Sequence, residues 1–300
     1  MTADRLKTFA EHRRHLFGVA YRMLGSVADA EDMTQEALVR WHRSGDAEIV
    51  SPKAWLTTVV TRLCINHLTS ARVQRETYFG TWLPEPLVAE AAPTPDQDAR
   101  LADSLSLAVL VLLESLAPPE RAVFLLREVF DYEFSEIAEI AEIVGKTEAN
   151  CRQILVRARE QVAARRPRFE SSPEKCEQVL PRFFRAAKGG DIPGLLAVVA
   201  DDVTMTTDGG GHVRAVARPV VGADHVTRFV AGSIRKFVPE DREFRPAQIN
   251  GLPGLLGLEA GRVVQVLAFA ITDDRIHAIY LINNPEKLRH LNLQAPRSFC

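Results

Sequence analysis

Between residues 81 and 99 the chain reads TWLPEPLVAEAAPTPDQDA, and Pro84, Pro86, Pro93 and Pro95 forbid a continuous helix there. Glu85, Glu90, Asp96 and Asp98 face no Lys or Arg within it, so the segment is expected to be a stiff acidic linker with one apolar anchor, Trp82-Leu83. Fully extended, 19 residues of this kind span roughly 60 Å. A chain interrupted in this way must build separate cores on either side. At 300 residues it is long enough for two or three.

The stretch before the linker has helical periodicity throughout. One helix is expected over 6–24, ended by Gly25-Ser26, a second over 28–43, and a third over 52–71 with Ser51 as N-cap and Pro52 at the first helical position. After the linker a helix over 98–116 is expected to stop before Pro118-Pro119, with helical pattern resuming over 120–130, 134–144 and 147–164. Residues 165–173 form a second, short linker. Beyond 174 the texture changes. Helices over 174–188 and 192–199 precede a strand at 203–207, a Gly-rich turn at 208–211, a strand at 213–221 and a helix at 223–237. Strands at 243–250, 255–258, 262–271 and 275–282 follow, which makes an α+β domain.

Composition excludes several classes. Net charge −2, 46% hydrophobic residues and a mean hydropathy of −0.06 rule out global disorder, and the longest apolar run (107–113) is too short for a membrane span of about 20 residues. The first residues lack the apolar core of a secretory signal, and Cys64, Cys151, Cys176 and Cys300 are scattered with no CxxC pair or Cys/His cluster. No structural zinc, metal, cofactor or disulfide framework is expected. The composition suits a reducing cytoplasm.

Two segments carry chemistry. In 134–159, Ala141, Gly145 and Cys151 stand where a helix-turn-helix needs a small residue at the crossing, a glycine in the turn and an apolar residue packing back. Ile154, Leu155, Ala158 and Val162 continue that buried face. Arg152, Arg159 and Arg166 repeat by seven on the opposite one, and residues 151–168 hold six arginines against one acid, Glu160. This combination points to duplex DNA. In the third helix Trp55, Arg62, Asn66 and His67, followed by Arg72 and Arg75, mix aromatic, polar and basic groups as a strand with splayed bases requires. One helix earlier, Asp29, Glu31, Asp32, Gln35 and Glu36 crowd a helix N-terminus, where acids are also a generic stabilising pattern.

Taken in order, these segments resemble an extracytoplasmic-function (group IV) RNA polymerase sigma factor: residues 9–78 resemble its region 2 and 118–160 its region 4. The resemblance implies that Asp29, Glu31, Asp32, Gln35 and Glu36 bind core RNA polymerase at the clamp region of the largest subunits. It implies that Trp55, Arg62, Asn66, His67 and Arg72 meet the −10 element, and that Thr147, Asn150, Arg152, Gln153, Arg157 and Arg159 meet the −35 element of promoter DNA. Trp82-Leu-Pro-Glu-Pro86, Asp208-Gly-Gly-Gly211 and Asn284-Pro-Glu-Lys-Leu288 resemble the subgroup with a C-terminal SnoaL-like (NTF2-like) domain. The implied fold is multidomain: two all-α sigma domains followed by an α+β SnoaL/NTF2-like cone. Its boundaries are 1–80 for region 2, 81–99 for the linker, 100–169 for region 4 and 170–300 for the regulatory domain. Two departures stand out. Thr69-Ser70-Ala71 replaces the usual arginines, and Glu136–Ile143 is one AEI triplet longer than the family pattern, which shifts Phe134 and Ile137 by about 4.5 Å along the helix and roughly 60° around it.

For the C-terminal domain three readings remain. Trp82, Leu83 and Pro84 on the linker and Asp208, Gly209, Gly210, Asn284, Pro285, Lys287 and Leu288 are candidates for a shared interface that regulates the helical modules. In that reading Lys287 forms at most an exposed pair with the linker's acids, and the Gly run is a hairpin turn. A ligand-responsive DNA-binding regulator would instead sense a small apolar molecule in the cone. A cyclase-like enzyme would use Asp208, His212, Asp202 or His225 as acid and base, and would leave the first 160 residues unexplained. The non-enzymatic sigma-factor reading is preferred.

Overall fold

The structure, a computed structural model, describes residues 3–44, 49–75, 78, 80–89, 106–141, 147–163 and 173–293. These fall into two compact units. The first holds the described residues up to 75 together with 109–163; the second holds 78–89, 106–108 and 173–293. The division does not follow the linker. Residues 78–89 belong with the C-terminal unit.

In the first unit α1 (Ala3–Leu24) buries Phe9, Leu16, Ala20, Met23 and Leu24 along one stripe. Gly25, at φ 67°, ends it, and Ser26 caps α2 (Val27–Arg43) by accepting a hydrogen bond from the Asp29 amide at 3.2 Å. Val27, Ala30, Thr34, Ala37 and Trp41 face inward on α2. Arg5 holds the far end, its guanidinium 4.1 Å from the Trp41 ring centroid and donating to the Trp41 carbonyl at 2.5 Å. The Ser51 hydroxyl accepts from the Ala54 amide at the start of α3 (Pro52–Arg75), which buries Leu56, Val60, Leu63, Cys64 and Leu68.

Helix α4 (Leu107–Leu113) lies within the helix expected over 98–116 but ends three residues earlier, in a turn over 114–116; residues 98–105 lie outside the described residues. Helix α5 spans Pro118–Glu128. The proline pair was expected to lie outside it, but it opens the helix instead. Prolines have no N–H to lose in the first turn, and the Glu120 carboxylate accepts from the Ala117 amide at 3.1 Å. Helices α6 (Phe134–Ala141) and α7 (Glu148–Ala163) follow, and Ile137, Cys151, Ile154 and Leu155 share a core with Val123, Leu126 and Tyr132, flanked by Phe134. The expected Cys151 and Ile154 face is therefore inside, and Ile137 keeps full burial despite the longer AEI repeat. Gly145 and the Ala141 side chain lie outside the described residues.

The two helical modules of this unit touch. Arg121 on α5 is 3% exposed and donates to the Met23 carbonyl at the end of α1 at 2.6 Å and to Glu114 at 2.9 Å. The Tyr132 and Thr57 hydroxyls are 2.8 Å apart, and His15 Nε2 reaches both, at 3.3 and 3.2 Å. Burial, with the charges of Lys53, His12 and Arg22, lowers the His15 pKa to about 4.

In the second unit β1 (Val88–Ala89) precedes α8 (Pro173–Gly189), α9 (Ile192–Leu196), β2 (Val199–Asp208), β3 (Val220–Val221) and α10 (Ala223–Phe237). Strands β4 (Glu243–Ile249), β5 (Leu252–Glu259), β6 (Arg262–Thr272) and β7 (Arg275–Ile282) and α11 (Arg289–Leu293) complete it. The strand order is β1-β4-β5-β6-β7-β2-β3, antiparallel except for the parallel β2–β7 pair. Two-residue turns at Asn250-Gly251, Ala260-Gly261 and Asp273-Asp274, all at positive φ, join β4 to β7 as tight hairpins. Val179, Phe183, Val226 and Val230 from the helices meet Met205, Phe269, Ile271 and Ile279 from the sheet in one core. This is the expected α+β cone; among the differences, the helix expected over 192–199 ends at Leu196 and the strand expected at 203–207 spans Val199–Asp208. Only Val220–Val221 of the expected strand 213–221 is paired, antiparallel to Thr204 and Met205, so the Gly run opens a long connection between β2 and β3 rather than forming a tight hairpin turn. The linker, expected to be stiff with one apolar anchor at Trp82-Leu83, also supplies β1, which pairs with β4.

Candidate nucleic-acid surfaces and the linker clamp

On α7 the buried stripe leaves Asn150, Arg152, Gln153, Arg157 and Arg159 exposed on the other side. Thr147, also exposed, caps the helix: its hydroxyl accepts from the Asn150 amide at 3.3 Å. The basic face is partly neutralised. Arg152 pairs with Glu148 one turn earlier and lies 5.0 Å from the Phe134 ring centroid, and Arg159 pairs with Glu128 at 2.6 Å, which raises its pKa. Both arginines are more than half exposed, with side chains 57% and 55% accessible, so these pairs are weak and exchangeable for phosphate. Arg165, Arg166 and Arg168 lie outside the described residues.

On α3 Trp55, Arg62 and Asn66 repeat by seven and four and so share a stripe. Asn66 is exposed and Arg62 half-buried, while Trp55 is half-buried with its ring 5.4 Å from Trp41. His67 Nε2 is 3.6 Å from the Asp29 carboxylate, so one candidate of the −10 group stands against one of the core-binding group. The Arg72 side chain is outside the described residues. On α2 Glu36 is tied to Arg40 at 2.9 Å, whereas Glu31, Asp32 and Gln35 project to solvent. Those three form the part of the acidic set presented outward.

In the C-terminal unit the linker is gripped. Asp208, at the end of β2, is 1% exposed and accepts from four donors: the Tyr78 hydroxyl at 2.5 Å, the Leu83 amide at 2.8 Å, the Gly210 amide at 3.0 Å and the Lys287 ammonium at 2.7 Å. Lys287 also donates to the Leu83 carbonyl, and its Nζ lies 4.0 Å from the Trp82 ring centroid and 5.1 Å from that of Tyr78. Asn284 donates to the Tyr78 hydroxyl at 3.0 Å. Burial first, then the Asp208 hydrogen bond, raises the Tyr78 pKa. Leu83, Pro84, Pro86 and Leu288 are buried, and Pro285 is exposed. Further along, the Leu87 amide donates to Asn250 Oδ1 at 2.9 Å and His290 Nε2 meets the Pro86 carbonyl at 2.8 Å.

This arrangement corrects two expectations. Lys287 is not an exposed cation: it is 6% exposed and pairs with Asp208. The glycines make room for close packing at the start of the long β2–β3 connection rather than forming a tight hairpin turn. A Cβ on Gly209 would lie 2.1 Å from the Val213 carbonyl, and one on Gly210, at φ 61°, would lie 2.2 Å from the Asn284 amide nitrogen. Of the groups considered for acid–base chemistry, Asp208 is saturated by the clamp, and His212 lies 3.7 Å from Glu286. His225 Nδ1 meets the Val221 carbonyl at 3.1 Å, and exposed Asp202 lies 3.6 Å from His277. They do not converge on one another. Among the described residues no group of three metal-ligating side chains is found and no helix is long and apolar enough to cross a membrane. Tyr78, Asn250 and His290 carry clamp contacts that spacing alone does not reveal; Tyr78 stands just before the Pro-rich segment with no periodic signal of its own.

Residues 8–73 match Sigma-70 region 2 and residues 106–162 match Sigma-70, region 4, so the helical unit is that of a sigma-70-type protein. The chain is 38% identical to ECF RNA polymerase sigma factor SigJ of Mycobacterium tuberculosis, across 97% of this chain and 95% of that protein. It is 30% identical to probable ECF RNA polymerase sigma factor SigI of the same species, across 94% of each. The crystal structure of M. tuberculosis SigJ superposes with a TM-score of 0.73 at 34% identity, covering 95% of this chain and 98% of that one. The chain therefore belongs to the extracytoplasmic-function family of RNA polymerase sigma factors. It is an alternative sigma factor with a C-terminal α+β domain.

Proposed function

We propose that this sigma factor divides its work along the boundaries 1–80, 81–99, 100–169 and 170–300: region 2, linker, region 4 and regulatory domain. Asp29, Glu31, Asp32, Gln35 and Glu36 contact the clamp region of core polymerase, with Glu31, Asp32 and Gln35 the outermost. Trp55, Arg62, Asn66, His67 and Arg72 capture the opened −10 strand by stacking and phosphate contact. Thr147 fixes the start of α7, and Asn150, Arg152, Gln153, Arg157 and Arg159 read the −35 duplex, the arginines exchanging Glu148 and Glu128 for DNA. The protein works in the cytoplasm and has no catalytic role. The C-terminal domain regulates by holding the linker through Asp208 and Lys287, with Trp82, Leu83, Pro84, Gly209, Gly210, Asn284, Pro285 and Leu288 around them.

The observation that carries the promoter-reading assignment is the exposed polar and basic face of α7 opposite its buried Cys151–Leu155 stripe. Capture of core polymerase by the full chain tests the function. Asp32→Lys is expected to abolish capture while the far-ultraviolet circular dichroism stays unchanged. Retained capture, or loss of helix together with capture, would return the acids of α2 to a capping role.

A further inference from the structure

The C-terminal unit contains a cavity of about 1380 Å³ bounded by α10, the strands β5 to β7 and the segment after β2. That exceeds the roughly 300–1,000 Å³ of ordinary small-molecule pockets. Its floor is buried: Thr207, Gln265, Leu281 and Leu288 are each at most 9% exposed. Phe229, Val238 and Val263 give it apolar walls. The mouth is cationic. Arg214, Arg262 and Arg289 line it and are exposed, and none has an acidic partner among the described residues. The single lining carboxylate, Glu259, is taken by Arg242 Nε at 3.0 Å. At depth, Asn283 Oδ1 is buried without a hydrogen-bond partner among the described residues, an acceptor that a hydroxyl or a water would satisfy.

Apolar walls below three unopposed guanidinium groups discriminate by charge. A neutral hydrocarbon leaves the arginines unused, a cation is repelled, and a carboxylate on an aliphatic chain uses both parts. We propose that the cavity binds a single-chain anionic amphiphile, its carboxylate at Arg214, Arg262 and Arg289 and its chain against Phe229 and Val263.

The cavity and the clamp share two chain segments. Thr207 lines the cavity and Asp208, the next residue, grips the linker. Asn283, Pro285 and Leu288 line the cavity and Asn284 and Lys287, between them, grip the linker. Occupation of the cavity therefore alters the clamp; this coupling rests on the regulatory reading above, whereas the binding site does not.

Titration calorimetry of the full chain with decanoate, decanol and decyltrimethylammonium, each below its aggregation threshold, tests the site. Saturable one-site binding is expected for decanoate, weaker by about tenfold or more for the other two. The double variant Arg262→Ala/Arg289→Ala is expected to weaken decanoate by about tenfold or more with an unchanged unfolding midpoint. Phe237→Glu, at the exposed rim, is expected to weaken it as well. Absence of decanoate binding, equal affinity for the cation, or undiminished affinity in the double variant would each overturn the site. The coupling is read separately: decanoate should change tryptophan emission in the wild type and not in Trp82→Phe. Binding without that difference would overturn the coupling and leave the site standing.

Discussion

The ion pairs of α7 and the ion pair of the clamp use the same chemistry in opposite surroundings. Arg152–Glu148 and Arg159–Glu128 sit in water, where such contacts contribute less than about 1 kcal/mol and are screened by salt. Lys287–Asp208 is buried, with Leu83, Tyr78 and Gly210 completing its hydrogen bonds. Breaking one partner there strands a charge that cannot reach solvent. The difference separates surfaces that must change partners from a joint that must not. On the reading proposed above, arginines that exchange carboxylate for phosphate are best held loosely, while a linker that regulates two reading modules is best held by a few fully satisfied groups.

The largest effect is expected at the joint. Lys287→Met leaves the Asp208 carboxylate buried without its cation and should destabilise the C-terminal unit by about 3–5 kcal/mol, measured by urea unfolding. The double variant Asp208→Asn/Lys287→Met should recover part of that loss. A loss below about 1 kcal/mol in the single variant would place this pair with the exposed ones.

The next effect concerns the contact between the helical modules. His15 is held neutral, its pKa lowered from 6.5 to about 4, so the folded state takes up its proton later than the unfolded state as pH falls. Its contribution is fully present above pH 6.5 and is lost progressively as pH drops towards 4, by an amount of the order of 2–3 kcal/mol. His15→Gln should flatten the pH dependence of stability in that window relative to wild type; parallel curves would contradict the burial argument.

A smaller effect is expected for Tyr132→Phe, which removes the hydroxyl 2.8 Å from Thr57 and should cost about 1 kcal/mol. A cycle with Thr57→Val should show coupling between the two positions. The smallest concerns the exposed pairs. Glu148→Gln should change stability by less than about 0.5 kcal/mol and raise duplex affinity, because Arg152 is then released. Unchanged or lower affinity in binding assays at fixed salt would argue against Arg152 as a DNA contact.

Much of this was legible in the residues because the helical pattern is strong. Ser26 and Ser51 mark helix starts, Cys151, Ile154 and Leu155 mark the inward side of α7, and the change of texture after residue 174 marks a different domain. What escaped was tertiary. Pro118-Pro119 looked like a break because proline ends helices, yet it also starts them. The strand expected at 255–258 begins at Leu252 instead; Pro253 lies beyond the end of the β5–β6 ladder, where no amide is needed. The Gly run beside Asp208 has a hairpin's composition; only the Val213 carbonyl and Asn284 packed against it show why the glycines are there. Trp82-Leu83 did stand out, because two large apolar residues in an acidic, proline-rich segment need somewhere to go.

In the function proposed above, the linker's anchorage on the C-terminal domain governs how the promoter-reading modules are used. Run-off transcription with core polymerase and the full chain measures it most directly, comparing wild type, Trp82→Ala and Lys287→Met at equal occupancy of core. Both variants should change promoter output by more than about threefold in the same direction, and Trp82→Ala/Lys287→Met should change it no further than the stronger single variant. Wild-type output from both single variants at equal core occupancy would contradict the claim.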